Sequence, residues 1–326
     1  MKRREVLAGL LGLAAVPRAS CAAPRRVGLI VWDGSVMMLD GKAGGDFVAA
    51  MRELGYLQGR DVLYEARYWK KQDDAPNMVA ELLRWSADVI VAAGPPSILA
   101  AKAGTQRVPI VMMYSAEPVA MGIVSSLARP GGNITGLTYD HGFETMAKAV
   151  ELLRDVMPRL RRVAIVWDGT DAAHPIYASH FAKVATQFKL TPISVGLKSV
   201  ADIEPGFARM RAERAEGLVL LPSAQITLPN RHAILGFVAR DRLPTIVNIV
   251  DGRDYPGAIL QYGPNYSSMP RRAAAFVDRV LKGAKPAEIP VEQPDKYDLV
   301  VHLPAARKLG LKVPQSILLR ADRVIE

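Results

Sequence analysis

Short apolar runs alternate along the chain with longer stretches of helical spacing. Residues 26–32 (RVGLIVW) read as a buried strand, and residues 44–54 place Phe47, Val48, Met51 and Leu54 at helical spacing. Gly55 to Gly59 ends that helix with a glycine cap and a turn. Residues 62–68 alternate, with Val62, Tyr64, Ala66 and Tyr68 on one face, and 73–85 are amphipathic with Met78, Leu82 and Trp85 inward. Residues 88–92 (DVIVA) form a fully buried strand, followed by a helix over 97–105 and a strand over 108–113. Strand and helix alternating in this way predict a parallel sheet covered on both faces.

Residues 116–138 interrupt the pattern. Arg129-Pro130-Gly131-Gly132-Asn133 is a strong turn signal, since Pro fixes φ while Gly and Asn tolerate positive φ. The stretch reads as the end of one α/β lobe and a crossing to another; an ordinary long loop in one large domain is the other reading. A second β/α series follows: helix 141–157, strand 162–167, helix 174–188, strand 191–195, helix 200–213, strand 217–221, helix 227–241 and strand 244–249. Residues 26–34 (RVGLIVWDG) and 162–169 (RVAIVWDG) nearly repeat each other, which favours two lobes of the same topology. A strand over 257–263, a long helix over 267–281, a proline-bearing extended linker over 284–296, a strand over 297–303 and a short helix over 304–309 complete the series. The fold class expected is α/β, with two Rossmann-like lobes and parallel sheets, and 326 residues suit about two domains of roughly 150 residues.

The N-terminus stands outside this pattern. Met1-Lys2-Arg3-Arg4 is basic, Val6 to Val16 is apolar, and residues 17–23 are rich in small side chains. Residues 1–23 therefore read as a secretory signal, too short for a spanning anchor. Arg3-Arg4-Glu5-Val6-Leu7 partly resembles a twin-arginine signal, with Val6 where Phe is usual. Cys21, the one cysteine, sits at the cleavage site, where Arg18 fits a lipidation motif badly. Removal of the signal leaves a cysteine-free chain carrying +7 of the formal +10. The basic residues are scattered rather than blocked, and no nucleic-acid-binding motif accompanies them. The expectation is a monomer in the periplasm with a solvated basic surface and no nucleic-acid partner.

Candidate chemistry clusters at strand ends, where open α/β sheets bind ligands. Gly94-Pro95-Pro96-Ser97 opens a helix; its free N–H groups and Ser97 suit a ligand carboxylate, and equally suit simple capping. Asp33, Glu117, Asp168 and Asp251 follow strands as partners for a ligand amine, as acid/base groups or as loop caps. Trp32, Trp167 and Tyr262 sit at strand ends as stacking surfaces or as core. Ser115, Tyr139, Ser223 and Asn248 complete the candidate ligand-binding set at the strand ends and crossings. Met37 and Met38 suit an adaptable pocket wall or plain packing. The chain has no GxGxxG, Walker A, HExxH or GxSxG motif and no metal spacing among its five histidines, so neither cofactor nor metal is expected.

The stretches Glu117-Pro118-Val119, Ser126 to Gly136, Ile259 to Gly263, Arg271 to Ala274, Val277 to Pro286, Pro290 to Pro294 and Arg320 to Glu326 resemble the ABC-transporter substrate-binding proteins of the tryptophan/tyrosine type. The resemblance runs from residue 26 to the end. It departs at Glu117, where the family usually has Asp; at Gly94-Pro95-Pro96, where Gly-Thr-Pro or Gly-Thr-Ala is common; and at Gln261-Tyr262-Gly263, where Ser-Tyr-Gly is common. It implies a type I periplasmic-binding fold, with residues 26–138 plus 248–283 in one lobe, 139–247 plus 284–326 in the other, and three crossings as a hinge. It also implies a small amino-acid-like or aromatic ligand, an inner-membrane ABC permease as partner, and no enzymatic activity. A periplasmic hydrolase or lyase using Asp33, Asp168 or Glu117, and a ligand-sensing co-receptor, are the alternatives.

Overall fold

The computed structural model describes residues 23–32, 42–139, 143–294 and 296–326. Residues 1–22 with Cys21, residues 33–41 with Asp33, Met37 and Met38, and His141 lie outside those residues. The first lobe is built from β1 (Arg25–Trp32), α1 (Lys42–Glu53), β2 (Val62–Trp69), α2 (Ala75–Arg84), β3 (Val89–Ala93), α3 (Pro95–Gly104), β4 (Ile110–Tyr114) and β5 (Ile134–Gly136). Its five strands are parallel, in the order β2-β1-β3-β4-β5. β3 is buried along its whole length, as a central parallel strand covered on both faces must be.

The second lobe follows with α4 (Phe143–Val156), β6 (Arg162–Asp168), α5 (His174–Gln187), β7 (Thr191–Leu197), α6 (Ile203–Ala212), β8 (Gly217–Leu220), α7 (Arg231–Arg240), β9 (Thr245–Val247) and β10 (Leu260–Pro264). The chain then returns to the first lobe for α8 (Met269–Leu281) and ends in the second with β11 (Tyr297–His302), α9 (Leu303–Leu309), α10 (Gln315–Leu318) and β12 (Arg323–Ile325). The second sheet has the order β12-β11-β10-β9-β8-β6-β7, parallel except where β10 meets β11.

That topology corrects one expected boundary. Residues 248–283 were expected to belong together to the first lobe, yet β10 pairs with β9 and β11 in the second sheet. Only α8 packs on the first lobe, burying Ala273, Ala274, Phe276 and Val277 against α1, β3 and β4. A buried strand's own apolarity does not say which sheet edge it joins, whereas a helix with one apolar face needs only a sheet to cover. α7 begins at Arg231 rather than 227, because Ser223 and Thr227 close a tight turn first: the Ile226 and Thr227 N–H groups donate to Ser223 Oγ at 3.1 and 3.0 Å.

The chain passes between the lobes three times: after β5, between β10 and α8, and between α8 and β11. The first and third passages pair as a ribbon, with Thr138 N–H donating to Glu292 O (2.9 Å) and Glu292 N–H to Gly136 O (3.0 Å). Thr135 Oγ1 donates to Ile289 O at 2.8 Å. Gly136 has φ +130°, and a Cβ there would sit 2.3 Å from Met112 O, so only glycine lets the ribbon lie against β4. A central apolar cluster runs from Val27, Val91 and Val111 through Leu137 and Tyr139 to Met146, Val163 and Phe181, and two outer clusters lie under α2–α3 and α6–α7.

Candidate functional site

The strand ends of the two lobes face one another across a cleft of about 740 Å³, open solvent at its mouth included. That size suits a small ligand. The first-lobe wall is Trp32 at the end of β1, Trp69 at the end of β2, Ala93, Gly94, Pro95 and Pro96 at the β3–α3 junction, and Tyr114 at the end of β4. The second-lobe wall is Asp171 after β6, Pro222 to Gln225 and Leu228 after β8, and Ile249, Asp251 and Arg253 after β9. Tyr139 and Tyr266 come from two of the crossings.

The floor is aromatic. Tyr114 stacks on Tyr266 with centroids 5.4 Å apart, and Tyr139 lies 5.0 Å from Tyr266 and 5.9 Å from Tyr114. Burial pushes the hydroxyls of Tyr139 and Tyr266 well above the usual phenol range, so both stay neutral and act as polar-tipped apolar plates. Trp69 is 1 % exposed and donates its Nε1–H to Ser97 Oγ at 2.9 Å, which fixes the first-lobe wall from behind.

The wall at α3 is poor in donors. Pro95 and Pro96 carry no N–H, and Gly94 N–H donates to Tyr114 O at 3.1 Å. Gly94 has φ +82°, and a Cβ would meet the Tyr114 ring at 3.3 Å, so the turn and the close ring both call for glycine.

The charges lie opposite. Asp251 is almost wholly buried; its carboxylate accepts from Tyr255 Oη (3.1 Å) and Arg253 N–H (3.1 Å) and pairs with Arg253 Nη1 at 3.5 Å. Asp171 accepts the Ala173 N–H at 2.8 Å and faces His174 Nε2 at 3.9 Å. Asp168 N–H donates to His174 Nδ1 at 3.0 Å, so the ring's remaining hydrogen is on Nε2. Burial lowers the His174 pKa, outweighing the pull of Asp171 and Asp168.

Of the candidate residues, Trp32, Gly94, Pro96, Tyr139, Ser223 and Asp251 line the cleft. The others do not. Ser97 is buried behind the wall as the acceptor for Trp69, and Ser115 is buried with its hydroxyl on Ala116 O at 3.2 Å. Glu117, held at φ +37°, lines a separate hollow with Pro118, Thr138 and Phe143 that shares only Tyr139 with the cleft. Trp167 lies across β7, its Nε1–H on Ser194 Oγ at 2.9 Å. Asp168 is fully buried and accepts from the Thr170 hydroxyl at 2.6 Å. Asn248 donates to Tyr262 O at 2.8 Å, and Tyr262 stacks on Tyr297 at 6.0 Å on β11's side of the sheet. Asp33 lies outside the described residues. Trp69, Tyr114, Asp171, Gln225, Arg253 and Tyr266 join the cleft unforeseen; the strand-end rule that singled out Trp32 also points to Trp69 and Tyr114.

Two α/β lobes joined by three passages, with a cleft between the strand ends, provide a site of the size that suits a small solute. The chain belongs to the ABC transporter substrate binding protein family, whose family model matches residues 37–325. It is similar to a tyrosine-binding protein of Clostridioides difficile, at 20% identity over 274 residues, 83% of this chain and 77% of that protein. A conserved domain protein of Vibrio cholerae has a similar fold, with TM-score 0.83 and 19% identity over 92% of this chain and 99% of its own. So does an ABC domain from Streptococcus pneumonia solved in complex with L-Trp, with TM-score 0.80 and 19% identity over 92% of this chain and 100% of its own. Membership of this family carries with it a small-molecule ligand and an ABC permease as partner. No helix among the described residues is long and apolar enough to cross a membrane.

Proposed function

We propose that this chain is the exported solute-binding component of an ABC importer, and that it holds a small molecule with an aromatic or apolar body between two lobes that close on it. The observation that carries the reading is the cleft itself: stacked tyrosines and two tryptophans on one side, and polar groups on the other. Closure needs contacts from both lobes at once, and both lobes and two crossings contribute to this lining. The relatives' ligands, tyrosine and L-Trp, are of the class such a cleft suits. The signal-like N-terminus supports a periplasmic site of action.

We favour binding over turnover. Ser223 Oγ already accepts two backbone N–H groups, Asp168 is sealed under Thr170, and Glu117 lies outside the cleft. None of them presents the exposed nucleophile or base that hydrolysis requires. Thermal-shift titration with aromatic metabolites, followed by native mass spectrometry of the complex, tests the reading. A raised melting temperature and a ligand recovered unaltered are expected; a chemically changed ligand, or no shift across the panel, contradicts it.

A further inference from the structure

We infer that the end of the second lobe opposite the cleft is a docking surface for a bilayer of anionic phospholipid, formed by Arg159, Arg161, Lys189, Arg214 and Arg242 on four adjacent turns. This surface is remote from the cleft, and its chemistry is independent of what the cleft holds.

β7, β6, β8 and β9 are parallel neighbours, so the turns that enter them share one end of the sheet. Hydrogen bonds tie those turns side by side. Thr191 N–H donates to Arg161 O at 2.8 Å, Arg162 Nε–H to Arg214 O at 2.7 Å, and Leu218 N–H to Pro244 O at 2.9 Å. At a strand spacing of about 4.8 Å, the row is about 15 Å wide. Every turn carries an exposed cation: Arg159 and Arg161 before β6, Lys189 before β7, Arg214 before β8 and Arg242 before β9. The carboxylates of the same turns are already matched, Glu213 by Arg209, Glu216 by Arg162, and Asp241 by Arg211 and Arg240. None of the five cations forms an ion pair among the described residues.

Three of the five stand where a side chain is strained. Lys189, Arg214 and Arg242 follow the C-caps of α5, α6 and α7 with φ of +57°, +56° and +50°. Each helix closes there in the pattern that usually takes glycine: after α5, Lys189 N–H donates to Thr186 O at 2.9 Å and Leu190 N–H to Ala185 O at 2.8 Å. In the first lobe α1, α2 and α8 place Gly55, Ser86 and Gly283 at the same position. A cation complements a helix C-terminus from any residue of the last turn, where φ is helical, so the helix dipole does not require the strained place. Its use three times in one lobe puts a cation on every turn of this end.

A row of positive charge without a bare ring fits phosphate headgroups laid out in a plane. The one aromatic of these turns, Phe188, lies under the Arg154 guanidinium at 5.2 Å, which leaves no platform for the stacked bases of a nucleic acid. Leu160, Leu190 and Leu243 are buried, so the contact is electrostatic and acts within a Debye length, about 8 Å at physiological salt. The signal-like N-terminus supports a place of action beside phospholipid. The cleft lies at the carboxyl ends of the same strands, so a chain seated on this end keeps its cleft turned away from the bilayer and open to solute.

Sedimentation of the chain, its signal-like segment removed, with vesicles of phosphatidylglycerol and phosphatidylcholine in equal parts, and with vesicles of phosphatidylcholine alone, tests the assignment. Binding to the anionic vesicles only, lost as salt is raised, is expected. Lys189→Gly, Arg214→Gly and Arg242→Gly combined should weaken it about a hundred-fold. That variant should melt at or above the temperature of the unaltered chain, because glycine relaxes the left-handed backbone. Arg159→Gln with Arg161→Gln, which leaves the helix ends untouched, should weaken it about ten-fold. A control that takes the same charge from exposed positions in α9 and the loop after it, Arg307→Gln with Lys308→Gln and Lys312→Gln, should bind within about three-fold of the unaltered chain. Equal losses in the glycine variant and the control, equal binding to both kinds of vesicle, or no binding to the anionic ones overturns the assignment.

Discussion

The two lobes open on nearly the same strand, and the same tryptophan ends up in two different places. Trp32 closes β1 and lines the cleft; Trp167 stands at the matching position of β6 and lies away from it. The difference is in the neighbouring strand. Trp32 is in register with Trp69 on β2, a large side chain that is itself buried. Trp167 is in register with Gly196 on β7, and a Cβ there would come within 2.8 Å of the Trp167 ring. The glycine clears a seat, the indole folds into it, and Ser194 Oγ accepts its N–H. One lobe therefore offers two indoles to the cleft, while the other leaves its strand ends to Asp171, Gln225 and Arg253.

The contrast can be broken from the first lobe. Trp69→Ala removes a buried indole and its bond to Ser97, and should lower stability by about 3–5 kcal/mol in chemical denaturation. It should also abolish tight binding of aromatic probes, because Trp69 is itself part of the cleft wall. A loss under 1 kcal/mol would mean that the wall is not held from behind as described.

Breaking it from the second lobe should cost less. Gly196→Ala drives a methyl into the Trp167 ring and should destabilise by about 1–3 kcal/mol while leaving ligand affinity within two-fold. A large change in affinity would place Trp167 in the site after all.

The smallest effect sharpens the contrast through pH. Burial holds the His174 pKa below its usual 6.5, so the unfolded chain takes up a proton there that the folded chain refuses. Its neutral state therefore costs no stability above about pH 6.5, and stability falls as pH drops from there toward the folded value. His302 shifts the same way by burial. The drop in unfolding free energy between pH 7.5 and 5 should be smaller in His174→Gln than in the unaltered chain; equal drops would remove His174 from the account.

Much of the architecture could be read from one chain because buried parallel strands announce themselves. Residues 88–92 and 162–167 are short apolar runs of strand length, and the near repeat of RVGLIVWDG (26–34) as RVAIVWDG (162–169) discloses the second lobe. The placement of β10 could not be read, since which edge a strand joins is settled by partners distant in sequence. The site was half legible for a similar reason. Strand ends mark the cleft, which brings in Trp32, Gly94 and Asp251. Whether a side chain then turns inward depends on the facing residue, as Gly196 decides for Trp167 and Tyr297 for Tyr262. Asp171 and Arg253 lie in loops past their strands, where no periodicity applies.

Closure of the two lobes on a guest is best measured as a distance. Lys70 after β2 and Lys198 after β7 are exposed at the strand ends of opposite lobes, and Cys21 is the one native cysteine, so with Cys21→Ser in place cysteines at both positions can carry spin labels. A clamp predicts a distance distribution that shortens and narrows when the tightest-binding aromatic probe saturates the protein. A distribution unchanged at saturation would contradict a protein that shuts on its ligand.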